Sequence, residues 1–140
     1  MPTLRVTKKF EFSAAHRAWR EDRSPEENRR LFGRCASPNG DGHNFLLEVT
    51  VEGPVDPETG MVIDVGLLKR IVTAEVLDRF DHRHLNLDTE EFRTRVPTTE
   101  AIAVVIWERL EGRFPGDCRL VRVRLARDAS TYVEYEGRRA

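Results

Sequence analysis

The sequence predicts an α+β fold with the element order ββααββ: a four-stranded antiparallel sheet carrying two helices on one face. Three observations predict it. Apolar and polar residues alternate near both ends of the chain, which is the period of half-buried strands. Between these ends lie two stretches whose apolar residues recur at helical spacing. Clusters of Gly, Pro, Asp and Asn separate the segments, so a hairpin, two helices and a second hairpin can stack as two layers.

In the first strand Leu4, Val6, Phe10, Phe12 and Ala14 alternate with Arg5, Thr7, Lys9, Glu11 and Ser13, and His16 continues the apolar phase just past the end. Periodicity then fails over residues 17–42, apart from a short helix at 26–31, and a loop of that length in a compact domain is usually functional. The second strand spans residues 43–52, with Phe45, Leu47, Val49 and Val51 on one face. Asp41 and His43 share that odd phase, so both side chains should point toward the core side. After the turn at residues 56–60, Asp64 is placed to cap a helix whose inward residues are Val65, Leu68, Ile71, Val72, Val76 and Phe80. Thr98 caps the second helix, Glu100 suits its positive N-terminal end, and Ala101, Ile102, Val105, Ile106 and Leu110 face inward. The last two strands are read at residues 119–127 and 131–136.

Composition narrows the function classes. A chain of 140 residues suits one domain over 1–140. It holds 34% charged residues, and no apolar run approaches the roughly 20 residues that cross a bilayer. The N-terminus runs straight into a strand pattern without the features of a signal peptide, so a cytoplasmic location with no membrane partner is expected. With a formal net charge of −1 and interspersed signs, nucleic acid is not the expected partner and a small-molecule substrate is. Cys35 and Cys118, the two cysteines, do not make a disulfide framework.

Chemistry concentrates at element ends. Antiparallel pairing of the first two strands brings His16 and His43 toward one point, with Asp41 on the same face. Two imidazoles and a carboxylate with an open fourth position match a catalytic zinc site, and ordinary hydrogen-bonded histidines with a turn aspartate match the spacing equally well. Cys35 lies in the loop eight residues before His43, as a usable base or nucleophile if its pKa is lowered, or as a small buried hydrophobe if not. Cys118 opens a strand and fits the hydrophobe reading. Asp81-His82 offers an imidazole that a carboxylate can orient, and His84 reads as a helix C-terminal cation.

Six ordered segments carry a resemblance. They are Phe12-Ser13-Ala14-Ala15-His16-Arg17, Leu31-Phe32-Gly33-Arg34-Cys35, Pro38-Asn39-Gly40-Asp41-Gly42-His43-Asn44-Phe45, Val55-Asp56-Pro57-Glu58-Thr59-Gly60-Met61-Val62, Phe80-Asp81-His82-Arg83-His84-Leu85-Asn86 and Pro97-Thr98-Thr99-Glu100. Strung together they resemble the 6-pyruvoyl-tetrahydropterin synthase family, which also holds 6-carboxytetrahydropterin synthase. The resemblance implies a tunnelling fold, in which the sheets of a trimer close into a barrel and two trimers stack as a hexamer, with active sites between subunits. It implies a zinc-dependent lyase acting on 7,8-dihydroneopterin triphosphate. Cys35 would be the general base, Asp81 and His82 would relay protons, and Thr98, Thr99 and Glu100 would bind substrate. The loop with Pro38-Asn39-Gly40 looks more like the synthase branch, which eliminates triphosphate, than the carboxy branch, which breaks a carbon-carbon bond toward the queuosine precursor.

Two positions depart from the family pattern. Asp41 stands where the usual motif has a histidine, and a carboxylate remains a competent zinc ligand. Arg127 stands where the family carries a glutamate that clasps the donor-rich edge of the pterin, a group an arginine cannot pair with. A bulge that turned Asp128 inward would restore a carboxylate there. Two alternatives therefore stay open: a member working on a non-pterin, anionic or carbonyl-rich substrate recognised by Arg127, and a catalytically silent ligand-binding or scaffold oligomer held by an Asp41-Arg127 ion pair.

Overall fold

The computed structural model describes residues 2–138. Two 14-residue strands, β1 (Thr3–His16) and β2 (Asp41–Pro54), pair antiparallel along their whole length, from Thr3 opposite Pro54 to His16 opposite Asp41. His16 thus closes β1 from within, rather than following it. Between them lie α1 (Pro25–Phe32) and a 3-10 turn, Gly33–Ala36. A capping box starts α1: the Ser24 hydroxyl accepts from the Glu27 N–H and the Glu27 carboxylate accepts from the Ser24 N–H, with Pro25 in the first turn, where its missing N–H is no loss.

The first long helix is continuous but not uniform. It comprises α2 (Val65–Val72), a π turn (Thr73–Leu77) and α3 (Asp78–Phe80), and begins where Asp64 accepts from the Gly66 N–H. The chain then runs through β3 (Arg83–His84) and α4 (Leu85–Asp88) to α5 (Thr99–Leu110), and ends in β4 (Arg119–Ala126) and β5 (Tyr132–Tyr135).

The sheet order is β3-β1-β2-β4-β5, antiparallel except for β3, which lies parallel to β1 at Ala14–Ala15. The four expected strands are therefore joined by a fifth. His82 makes this possible: it adopts φ +60° and donates its N–H to the Ser13 carbonyl at 2.6 Å, turning the chain back along the edge of β1. Two residues are too few to show alternation, so the pattern gave no sign of it.

Phe10, Phe12, Phe45, Leu47, Val49, Val123 and Leu125 line the inner face of the sheet, packed against Leu68, Val72, Val76, Phe80, Ile102, Ile106 and Leu110. Each such side chain contributes about 1.5–3 kcal/mol by leaving water, which is why both helices sit on this face. Across from β2, a bulge sets Thr50 opposite Arg122 and Val51 opposite Leu120. Val121 is the extra residue; beyond it Val123 and Leu125 point inward, and Arg127 is next in their phase. Among the described residues no helix is long and apolar enough to cross a membrane.

Candidate metal centre and active site

His16 and His43 converge. Their ring centroids stand 5.1 Å apart, and both rings meet the Phe45 ring edge-on. The Nδ1–H of His16 donates to the Pro97 carbonyl at 2.6 Å, which leaves Nε2 as the lone-pair nitrogen, buried and without a partner. Imidazoles that ligate metals are commonly oriented by such a bond from the opposite ring nitrogen. Burial lowers the His16 pKa; the bond to Pro97 works against it and the neighbouring His43 adds to it. The ring is therefore held in the neutral form that a metal requires.

Asp41 is exposed and sits opposite His16 in the strand register. Among the described residues no three His, Cys, Asp or Glu side chains are gathered into a ready-made cation site. The two imidazoles fit a metal in donor type and in the orphaned His16 Nε2, whereas the carboxylate stands at the rim.

A cleft of about 620 Å³ opens beside this pair, and its walls include Cys35, Asp41, His43 and Arg127. The Cys35 thiol is exposed on the 3-10 turn. Its loop is tied to the end of β1: the Ala18 N–H donates to the Cys35 carbonyl at 2.8 Å, and Arg17 Nε donates to the Ala36 carbonyl at 3.1 Å. Two asparagines secure the segment from behind. Asn86 both accepts from the Arg17 N–H and donates to the Arg17 carbonyl, at 2.8 Å each. Asn28, wholly buried, accepts from the Arg20 N–H and donates to the carbonyls of Arg20, Arg23 and Ser24.

Arg127 faces this cleft, as its strand phase requires, and Asp128 lines it beside Arg127. The Asp128 Oδ1 accepts from the N–H and hydroxyl of Ser130 and from the Thr131 N–H, bonds that lower the carboxyl pKa and commit that oxygen to the turn before β5. The bulge at Val121 lies earlier in β4, before Val123 and Leu125. Asp41 and Arg127 do not pair: among the described residues the ion pair of Arg127 is with Asp128, at 3.5 Å.

Asp81 and His82 occupy another place. The Asp81 Oδ1 accepts from the Ser13 N–H at 2.9 Å and stands 3.0 Å from His82 Nδ1. The His82 side chain, 81% exposed, lines a second cleft of about 440 Å³ with Ser13, Ala15, Gly42 and Asn44. Within one chain the two clefts share His43 as a wall, and Cys35 belongs only to the first. At the start of α5, Thr98 accepts from the Ala101 N–H, Thr99 is buried and Glu100 is exposed. Pro97 precedes them directly, so the same turn that starts this helix also orients His16.

His84 differs from its expected place as a helix C-terminal cation. It belongs to β3, its Nδ1 is buried without a partner, and its Nε2 packs close to Gly40. Cys118 is buried, and desolvation raises its pKa, as suits a core thiol.

A model of the family described as 6-pyruvoyl tetrahydropterin synthase matches residues 5–138. The 6-pyruvoyl tetrahydrobiopterin synthase of Homo sapiens is 39% identical over 132 residues, covering 94% of this chain and 90% of that protein. The dihydroneopterin monophosphate aldolase of Pyrococcus furiosus is 41% identical over 95 residues, 68% of this chain and 76% of the other. The solved structure of 6-pyruvoyl tetrahydropterin synthase from Caenorhabditis elegans superposes with a TM-score of 0.91 at 37% identity, covering 99% of this chain and 98% of that one. With its fold and its sequence matched along nearly their whole length, the chain belongs to the 6-pyruvoyl tetrahydropterin synthase family.

Proposed function

We propose that this protein is a zinc-dependent lyase of the 6-pyruvoyl-tetrahydropterin synthase type, acting on 7,8-dihydroneopterin triphosphate. The observation that carries the reading is the orphaned, buried Nε2 of His16, aimed beside His43 at the edge of a cleft holding an exposed thiol. His16 and His43 would hold the ion, with Asp41 as third ligand. Bound there, zinc would supply Lewis-acid polarisation of the substrate's side-chain oxygens and make the adjacent C–H more acidic.

Cys35 takes the carbon-bound proton as a thiolate, the only form of cysteine that acts as a base. His82 carries protons onward. With its Nδ1 against Asp81, its Nε2 points to solvent, where it can exchange a proton with substrate or water. That Cys35 and His82 line different clefts of one chain supports a complete site assembled between subunits, with His82 of one chain serving the Cys35 cleft of another. Open strand edges support such an assembly. Among the described residues, 3–13 of β1 pair only with β2, and β5 ends the sheet on the other side, so each chain presents two edges for a trimer or hexamer to close.

Incubation with 7,8-dihydroneopterin triphosphate tests the reading. Release of triphosphate without acetaldehyde is the expected product signal, release of acetaldehyde together with triphosphate would place the protein in the carboxy branch, and neither product from zinc-loaded protein would overturn the assignment.

A further inference from the structure

We infer that Arg127 anchors an anionic group of the ligand, a phosphate or a carboxylate, inside the Cys35 cleft; the inference rests on that cleft being the substrate site. The argument is one of unmatched donors. Arginine offers only donors, and Arg127 Nε is buried without a hydrogen-bond acceptor. Its nearest carboxylate, on Asp128, gives Oδ1 to Ser130 and Thr131 and holds Oδ2 at 3.5 Å from Arg127 Nε, an ion pair without a hydrogen bond. Arg17, Arg29 and Arg34 share the cleft wall with Arg127, facing only two carboxylates, Asp41 and Asp128. If Asp41 is drawn to zinc, Asp128 alone remains in the cleft wall to offset four guanidinium groups. Arg17 is also held in position, its guanidinium 3.4 Å over the Trp19 ring. A cleft so biased attracts an oxyanion, which the planar Arg127 fork can grip with two parallel bonds.

Calorimetric titration of the zinc-loaded protein, at matched zinc content, tests this with inorganic triphosphate in one arm, citrate in another and neutral 7,8-dihydroneopterin in a third. Arg127→Gln should weaken binding of at least one anion by about tenfold or more while leaving the neutral compound unaffected. Arg127→Lys should retain part of the affinity, and Arg119→Gln, which removes the same charge at the far end of β4, should retain all of it. The anion that responds identifies the group as phosphate or carboxylate. If neither anion binds, or if Arg127→Gln and Arg119→Gln act alike, the inference is wrong. Turnover of dihydroneopterin triphosphate with anion binding indifferent to Arg127 would overturn this inference alone. Arg127-dependent anion binding without turnover would overturn the proposed function and leave the anion site standing.

Discussion

Cys35 is exposed on a turn whose backbone, not its thiol, makes the structural bonds, so its chemistry and its architecture can be separated. Cys35→Ala should retain zinc and assembly while turnover falls by about 10²–10⁴-fold, the usual contribution of a positioned base. Metal analysis, size-exclusion chromatography and a turnover assay check it together, and undiminished turnover would remove Cys35 from the mechanism. Burial lowers the His16 pKa from its ordinary value of about 6.5, so the unfolded chain takes up that proton more readily than the folded one. The metal-free protein should therefore lose stability as pH falls through about 6.5, the loss being complete below the folded pKa of His16. Thermal unfolding of wild type and His16→Gln across that range checks it: the variant should show a flatter profile. The two site histidines were legible because strand phase and antiparallel pairing alone bring them together. Asn28 and His84 were not, since a polar residue in a short helix or a two-residue strand leaves no signal of being buried.

The elements around the site are held by short-range geometry. Gly40 has φ +72°, and a Cβ added there would meet the His16 carbonyl oxygen at 2.8 Å and His84 Nε2 at 3.1 Å. Gly40→Ala should therefore displace the end of β1 and weaken zinc retention by more than its effect on the melting temperature would suggest; chelator competition monitored alongside thermal unfolding checks it. The caps at Asp64 and Thr98 were readable in advance, because a side-chain acceptor before an apolar helical run has one common use. The π turn inside the first long helix and the parallel strand β3 were not. Both are local departures that preserve the inward row of Val72, Val76 and Phe80, so the hydrophobic pattern does not change when they occur.

At the scale of the whole molecule, the separation of Cys35 from His82 makes a strong demand on assembly. Co-expression of Cys35→Ala chains with His82→Ala chains should restore part of the turnover that each lacks alone, since some interfaces would then combine two intact partners. No restoration, in mixed oligomers shown to form, would confine the site to one chain. The two-layer fold was legible from the alternation of pattern types, whereas the proposed oligomer was implied by the family resemblance and not by any pattern in the residues. The central claim, that His16 and His43 share one zinc ion, is tested most directly by anomalous X-ray diffraction at the zinc absorption edge from crystals of protein purified without chelator. The account predicts one peak about 2.0–2.1 Å from the Nε2 of His16 and within bonding reach of His43. Zinc bound elsewhere in the chain, with no peak between these two rings, would contradict it.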